Sequence, residues 1–97
     1  MLKNTTRVKN TFHPGVFLQE LLEDNKLTAY RLAKDTFLPQ TRISEILREK
    51  RSITPDTALR LAKYFGTSAQ YWMNLQTSFD LANCKIDNLA DISTVVS

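Results

Sequence analysis

Apolar residues recur at helical spacing in five successive stretches of the chain, and the breaks between them carry the residues that start and stop helices. The first stripe is Phe17, Leu18, Leu21 and Leu22, opened by His13-Pro14-Gly15 with Pro14 early in the first turn. Glu20, Glu23 and Asp24 face outward there, and Asn25 is expected to close the helix in a left-handed conformation. Two short helical patterns then occupy Leu27 to Leu47, separated by too few residues for an independent loop. The first has Thr28 as its N-cap and Leu32, Ala33 and Thr36 on one face. The second is expected to begin at Pro39 as its first helical residue, with Ile43, Ile46 and Leu47 inward. Such a pair must cross steeply, Ala33 allowing the close approach, and this is a helix-turn-helix.

Thr54-Pro55-Asp56 sets a strong helix start: an N-cap, a proline at the first position and an acid beside the positive helix end. Ala58, Leu61, Ala62 and Phe65 form its apolar face, with Leu59 at the edge, and Gly66 ends it. Thr67 or Ser68 caps a last helix that carries Tyr71, Trp72, Leu75, Phe79 and Ala82 at near-heptad spacing. That is more apolar surface than a core of this size needs. Tyr71, Trp72, Leu75 and Phe79 therefore serve either the core of the chain or a homodimer seam, and spacing leaves the two equal. The fold class is all-α: a five-helix domain over residues 13–84, preceded by an arm of residues 1–12 and followed by a tail of residues 85–97. The arm is expected to be flexible; its Lys3, Arg7 and Lys9 suit a minor groove or simple solvation. In the tail, Ile86, Leu89, Ile92, Val95 and Val96 fit a short helix, an added strand or a disordered end.

At 97 residues and 11.1 kDa the chain has room for one modest core. Its formal charge of +3 and pI of about 9.2 matter less than where the charge falls. Between Thr28 and Lys63 stand Arg31, Lys34, Arg42, Arg48, Lys50, Arg51, Arg60 and Lys63 against Asp35, Glu45, Glu49 and Asp56. After Gly66, Lys85 faces Asp80, Asp87 and Asp91, so positive charge is concentrated in the helix-turn-helix and in the loop and helix directly after it. Cys84 is alone, which excludes an intramolecular disulfide and suits a reducing cytoplasm. No apolar run marks a signal peptide or a membrane span. His13 is the only histidine and reads as a structural or capping residue, so no metal and no cofactor is expected, and no nucleophile stands beside a base. The composition points to a binder, not an enzyme.

The binding chemistry gathers on the second helix of the motif. Gln40, Thr41, Arg42, Ser44 and Glu45 are the residue types that read base edges: Gln for adenine, Arg for guanine, Glu for cytosine, Thr for a hydrogen bond or a thymine methyl. An ordinary solvated face would look the same from composition alone. Thr28, Tyr30, Lys50 and Arg51 are the candidates for phosphate contacts that fix the register.

Residues 27–66, with Leu32-Ala33, Ile43 and Ile46 at their spacings, resemble the lambda-repressor-like (XRE) helix-turn-helix family. His13-Pro14-Gly15, Tyr30-Arg31-Leu32-Ala33-Lys34, the run from Arg51 to Ala62 and the run from Tyr64 to Gln76 are similar to the HigA-type antitoxins, the virulence-associated protein I group, over about residues 13–82. The chain departs from that pattern at Phe37, where many members have a glycine able to take positive φ, so the turn must be reshaped or strained. The resemblance implies a cytoplasmic, homodimeric repressor of a palindromic double-stranded DNA operator, with recognition helices about 34 Å apart. It also implies a cognate ribonuclease toxin as a protein partner and no membrane. A stand-alone repressor without a toxin, or a protein-interaction module on the same scaffold, fits the residues as well.

Overall fold

The computed structural model describes residues 12–96. Among the described residues five α-helices succeed one another: α1 Pro14–Asp24, α2 Ala29–Thr36, α3 Gln40–Leu47, α4 Pro55–Phe65 and α5 Ala69–Asn83, followed by a 3-10 turn, Leu89–Asp91, in the tail. No strand occurs among the described residues. The expectations for residues 1–11, including the basic side chains of the arm, lie outside the described residues.

Side-chain oxygens or nitrogens cap four of the five helices at their N-termini. Thr28 accepts from the Arg31 N–H, Thr54 from Thr57 and Ser68 from Tyr71, while His13 Nδ1 accepts from the Gly15 N–H at 2.9 Å. Ser68, not Thr67, caps α5; the Thr67 hydroxyl instead accepts from Trp72 Nε1 at 2.9 Å. The exception is α3. Pro39 lies outside the helix in an extended conformation, and α3 starts one residue later than the sequence pattern suggested. Its carbonyl accepts from both Arg42 and Ile43, and having no side-chain acceptor it leaves the first N–H groups of α3 without a capping partner.

The first four helices end in one way. Just past each, one residue takes a left-handed conformation: Lys26 at φ 54°, Phe37 at 60°, Glu49 at 63° and Gly66 at 73°. The next N–H turns back onto the helix, Leu27 to the Leu22 carbonyl, Leu38 to Ala33, Lys50 to Glu45 and Thr67 to Ala62, at 2.8–3.1 Å. Asn25, expected to hold the left-handed position after α1, stands one residue short of it and donates its side-chain amide to the Leu21 carbonyl. Phe37 itself takes the left-handed conformation that a glycine would take, and the residue is 85% exposed.

The core is Leu18, Leu22, Leu32, Ala33, Leu38, Ile43, Ile46, Ile53, Ala58, Leu61, Ala62 and Trp72. α5 packs mainly on α4 and also on α1, and α3 lies between α2 and α1. At the α1–α3 contact Gly15 is indispensable: a Cβ there would run into the carbonyl group of Ile46. Trp72 is wholly buried and therefore belongs to the core. Phe79 rests edge-on against His13, ring centroids 5.1 Å apart, and Leu75 is packed on the core; of the four aromatic and aliphatic candidates on α5, Tyr71 alone is exposed, at 40%, and its ring still rests edge-on against Trp72, 5.2 Å between centroids. Leu59 is exposed, as are Leu81 and the tail's Ile86, Leu89, Ile92, Val95 and Val96. The tail is a 3-10 turn in an otherwise irregular exposed segment.

A tie between α2 and α4 has no signature in the sequence. Tyr64 donates its hydroxyl to Asp35 Oδ2 at 2.6 Å, and Arg31 Nε donates to the same oxygen at 2.6 Å. Those two donors, Tyr64 first, hold the Asp35 carboxyl below the usual carboxylate range, and the same contacts raise the Tyr64 hydroxyl and the Arg31 guanidinium.

Three outcomes are expected. Gly15→Ala should destabilise the fold by about 1–3 kcal/mol, the ordinary cost of overpacking a closed contact; urea unfolding at an unchanged midpoint would mean that α1 and α3 part without loss. Phe37→Gly should stabilise. Relief of the left-handed backbone is worth about 1–2 kcal/mol and the entropy of a new glycine costs about 0.5–1, so a net gain below about 1.5 kcal/mol remains; a lower melting temperature would show that the exposed ring contributes contacts. A carboxyl whose folded-state pKa is depressed stabilises above its unfolded value, near pH 4, and that contribution is lost as the pH falls through the folded value. Asp35→Asn should thus lower the melting temperature at about pH 7 more than at about pH 2, and equal losses at both would exclude this carboxylate from the acid limb.

Candidate nucleic-acid interface

A helix of eight residues is too short to stand by itself, so α3 is held by what it buries. Ile43 and Ile46 are fully buried and Leu47 partly, which turns the opposite side of the helix to solvent. On that side Gln40, Thr41, Ser44, Glu45 and Arg48 line one shallow recess of about 290 Å³. Four of the five expected base-reading residues thus share one surface, and Arg48 joins them.

Arg42, the fifth, stands at the edge. Its Nη1 is 3.3 Å from Asp56 Oδ2, and Arg60 Nε also reaches Asp56, at 3.1 Å, while Arg60 Nη1 donates to the Thr36 carbonyl at 2.9 Å. The acid placed at the start of α4 to favour the helix dipole therefore also ties α4 to α3 and, through Arg60, to the end of α2. These pairs are open to solvent and each contributes little, about 0–1 kcal/mol, so Arg42 can exchange Asp56 for another acceptor at small cost.

The loop after α3 folds back over it. Glu49 takes the left-handed conformation, Lys50 N–H returns to the Glu45 carbonyl at 2.8 Å, and Arg51 Nε donates to Glu45 Oε1 at 2.7 Å. Lys50 and Arg51 are exposed, and Arg51 is brought directly onto the α3 surface. The far end of the loop is fixed from inside: the Ile53 N–H donates to the side-chain oxygen of buried Gln76 at 2.7 Å, and Gln76 Nε2 donates to Asp80 at 2.9 Å. Gln76 was not legible as an anchor, since a polar residue on an amphipathic helix reads as solvated until its partner loop is known. Thr28 and Tyr30 are exposed at the start of α2, and no hydrogen bond among the described residues links their side chains to the recess.

Among the described residues no group of three or more His, Cys, Asp or Glu side chains is disposed to hold a metal ion. No described helix is long and apolar enough to cross a membrane. A short polar helix carried on an apolar scaffold, with a basic loop folded beside it, defines a helix-turn-helix domain of the lambda-repressor-like class.

Comparison with known proteins agrees. A family model described as Helix-turn-helix matches residues 18–72. Virulence-associated protein I of Dichelobacter nodosus is 50% identical over 76 residues, 77% of this chain and 70% of that protein. An addiction module antidote protein of a HigA family from Coxiella burnetii superposes with a TM-score of 0.69 at 48% identity, over 74% of this chain and 79% of that one. Pseudomonas aeruginosa antitoxin HigA, solved with the higBA promoter, superposes with a TM-score of 0.81 at 35% identity, over 89% and 99% of the two chains. The chain belongs to the helix-turn-helix family and, within it, to the HigA group.

Proposed function

We propose that this protein is a sequence-specific DNA-binding repressor that acts as the antitoxin of a type II toxin–antitoxin pair, repressing its own operon and neutralising a ribonuclease toxin in the cytoplasm. The observation that carries the reading is the match, over nearly the whole of both chains, to an antitoxin solved on a promoter, combined with the polar outer face that α3 presents here. In this reading α3 enters the major groove, where Gln40, Thr41, Arg42 and Ser44 reach base edges, and Glu45 and Arg51 join the same surface as a pair. Thr28, Tyr30 and Lys50 fix the register on phosphates, and the uncapped N-terminus of α3 offers backbone N–H groups to the same backbone.

A palindromic operator calls for two copies related by a two-fold axis. The exposed apolar side chains of Tyr71, Leu81, Ile86, Leu89 and Ile92 supply surface for a homodimer, whereas Trp72 and Phe79 are already engaged within the chain. Exposed, unpaired Cys84 is in keeping with a reducing compartment.

The test is a gel-shift titration on duplex DNA from immediately upstream of the gene against random duplex of equal length, with the mass in solution taken by light scattering. The upstream duplex should bind about a thousandfold more tightly or better. Lys50→Ala should weaken binding to every duplex and make the log–log salt slope shallower by about 0.9. Equal affinity for both duplexes would overturn the proposed function, and an unchanged slope would remove Lys50 from the phosphate contacts.

A further inference from the structure

Glu45 and Arg51 are bound to each other on the surface through which α3 meets DNA in the proposed function. Glu45 lines the recess with Gln40, Thr41, Ser44 and Arg48, and Arg51 reaches it from the loop after α3, Nε to Oε1, at 2.7 Å. An exposed ion pair of this kind adds little stability, so holding the fold does not explain it. Its geometry is more telling. The attachment uses Nε alone, one of five N–H donors of the guanidinium; the four on Nη1 and Nη2 make no hydrogen bond to any described residue. The backbone fixes the root of the pair, because Glu49 turns left-handed and the Lys50 N–H closes on the Glu45 carbonyl, which brings the loop back across the helix. A free carboxylate here would repel the phosphate backbone, whereas a carboxylate that holds an arginine by Nε leaves a planar two-pronged end pointing away from it. Guanine O6 and N7 accept such a fork in the major groove.

Resting on the DNA-binding reading, we propose that Glu45 is a positioning residue that touches no base, and that Arg51, held by it through Nε, presents Nη1 and Nη2 to a guanine in each half-site. Arg51 then reads sequence instead of merely gripping phosphate, and Glu45 acts only through it.

The experiment uses the full-length chain and a pool of random-sequence duplexes. Sequences are selected with the wild type, and affinities are then measured on the selected duplex and on versions changed one base pair at a time, for wild type, Arg51→Ala, Glu45→Ala, Glu45→Gln and the double variant Glu45→Ala with Arg51→Ala. Arg51→Ala should lose about 5- to 150-fold discrimination at one G·C pair of each half-site. Glu45→Ala should lose discrimination at that same pair, the double variant should lose no more than Arg51→Ala, and Glu45→Gln, which keeps an acceptor for Nε, should retain more than Glu45→Ala. Additive losses at two different base pairs would overturn the proposal and leave the proposed function standing. So would an Arg51→Ala variant that weakens all duplexes alike with a shallower salt slope. A wild-type chain that selects no sequence overturns both.

Discussion

The position of α3 depends on a contact with no room in it. Eight residues of helix are marginal in water, and α3 lacks a side-chain cap at its start, so its stability must come from tertiary packing. Ile43 and Ile46 supply the apolar part, but the depth of the helix is set by the backbone of α1 lying against the carbonyl end of Ile46 at Gly15. Any side chain at that position would push the two helices apart. The displacement would reach the outer face directly, because a rigid short helix transmits a shift at one side to the other. A packing constraint behind α3 is therefore also a constraint on where Gln40, Thr41 and Ser44 stand.

Much of this was legible in the sequence, for identifiable reasons. Helix spacing of apolar residues and the caps Thr28, Thr54 and Gly66 are local signals, and they yielded the elements and nearly all of their inward faces. The inward residues of α2, Leu32, Ala33 and Thr36, are the buried ones. The helix ends were legible only where glycine marks them. Lys26, Phe37 and Glu49 adopt the same left-handed conformation as Gly66, because the reversal is enforced by the N–H that closes on the helix and, after Phe37, by the burial of Leu38. Tertiary context overrides the residue's own preference there. The contacts of Gly15 with Ile46, Gln76 with Ile53 and Tyr64 with Asp35 had no local signal at all, since each joins elements far apart in the chain.

The candidate interface shows a similar division. The residue types on the outer face of α3 were readable, because their spacing puts them opposite Ile43 and Ile46. Their states were not. Arg42 is shared with Asp56 and Glu45 with Arg51, and pairing of that kind depends on how α4 and the intervening loop return to α3. The magnitudes decide what such pairs can mean. A solvent-exposed pair is worth about 0–1 kcal/mol, whereas a well-made bidentate contact to a base is worth about 1–3 kcal/mol. An arginine can therefore leave an exposed acid for a base with a net gain, and an acid that keeps its arginine by one nitrogen does not need to be left at all.

The loop between α3 and α4 links the two halves of the molecule. Its near end closes on Glu45, on the face turned to solvent, and its far end is held by Gln76 of α5, deep in the fold. An unpaired buried N–H costs about 1–3 kcal/mol, so the Ile53 to Gln76 bond is a strong reason for the loop to keep this path. Gln76 in turn is bonded to Asp80, one turn further along α5, where Leu81 and then the apolar tail come to the surface. The segment that anchors the basic loop thus runs on into exposed apolar side chains on the last turn of α5 and in the tail. Side chain, loop and helix are joined there by hydrogen bonds, so the path of the basic loop is set from α5 as well as from α3.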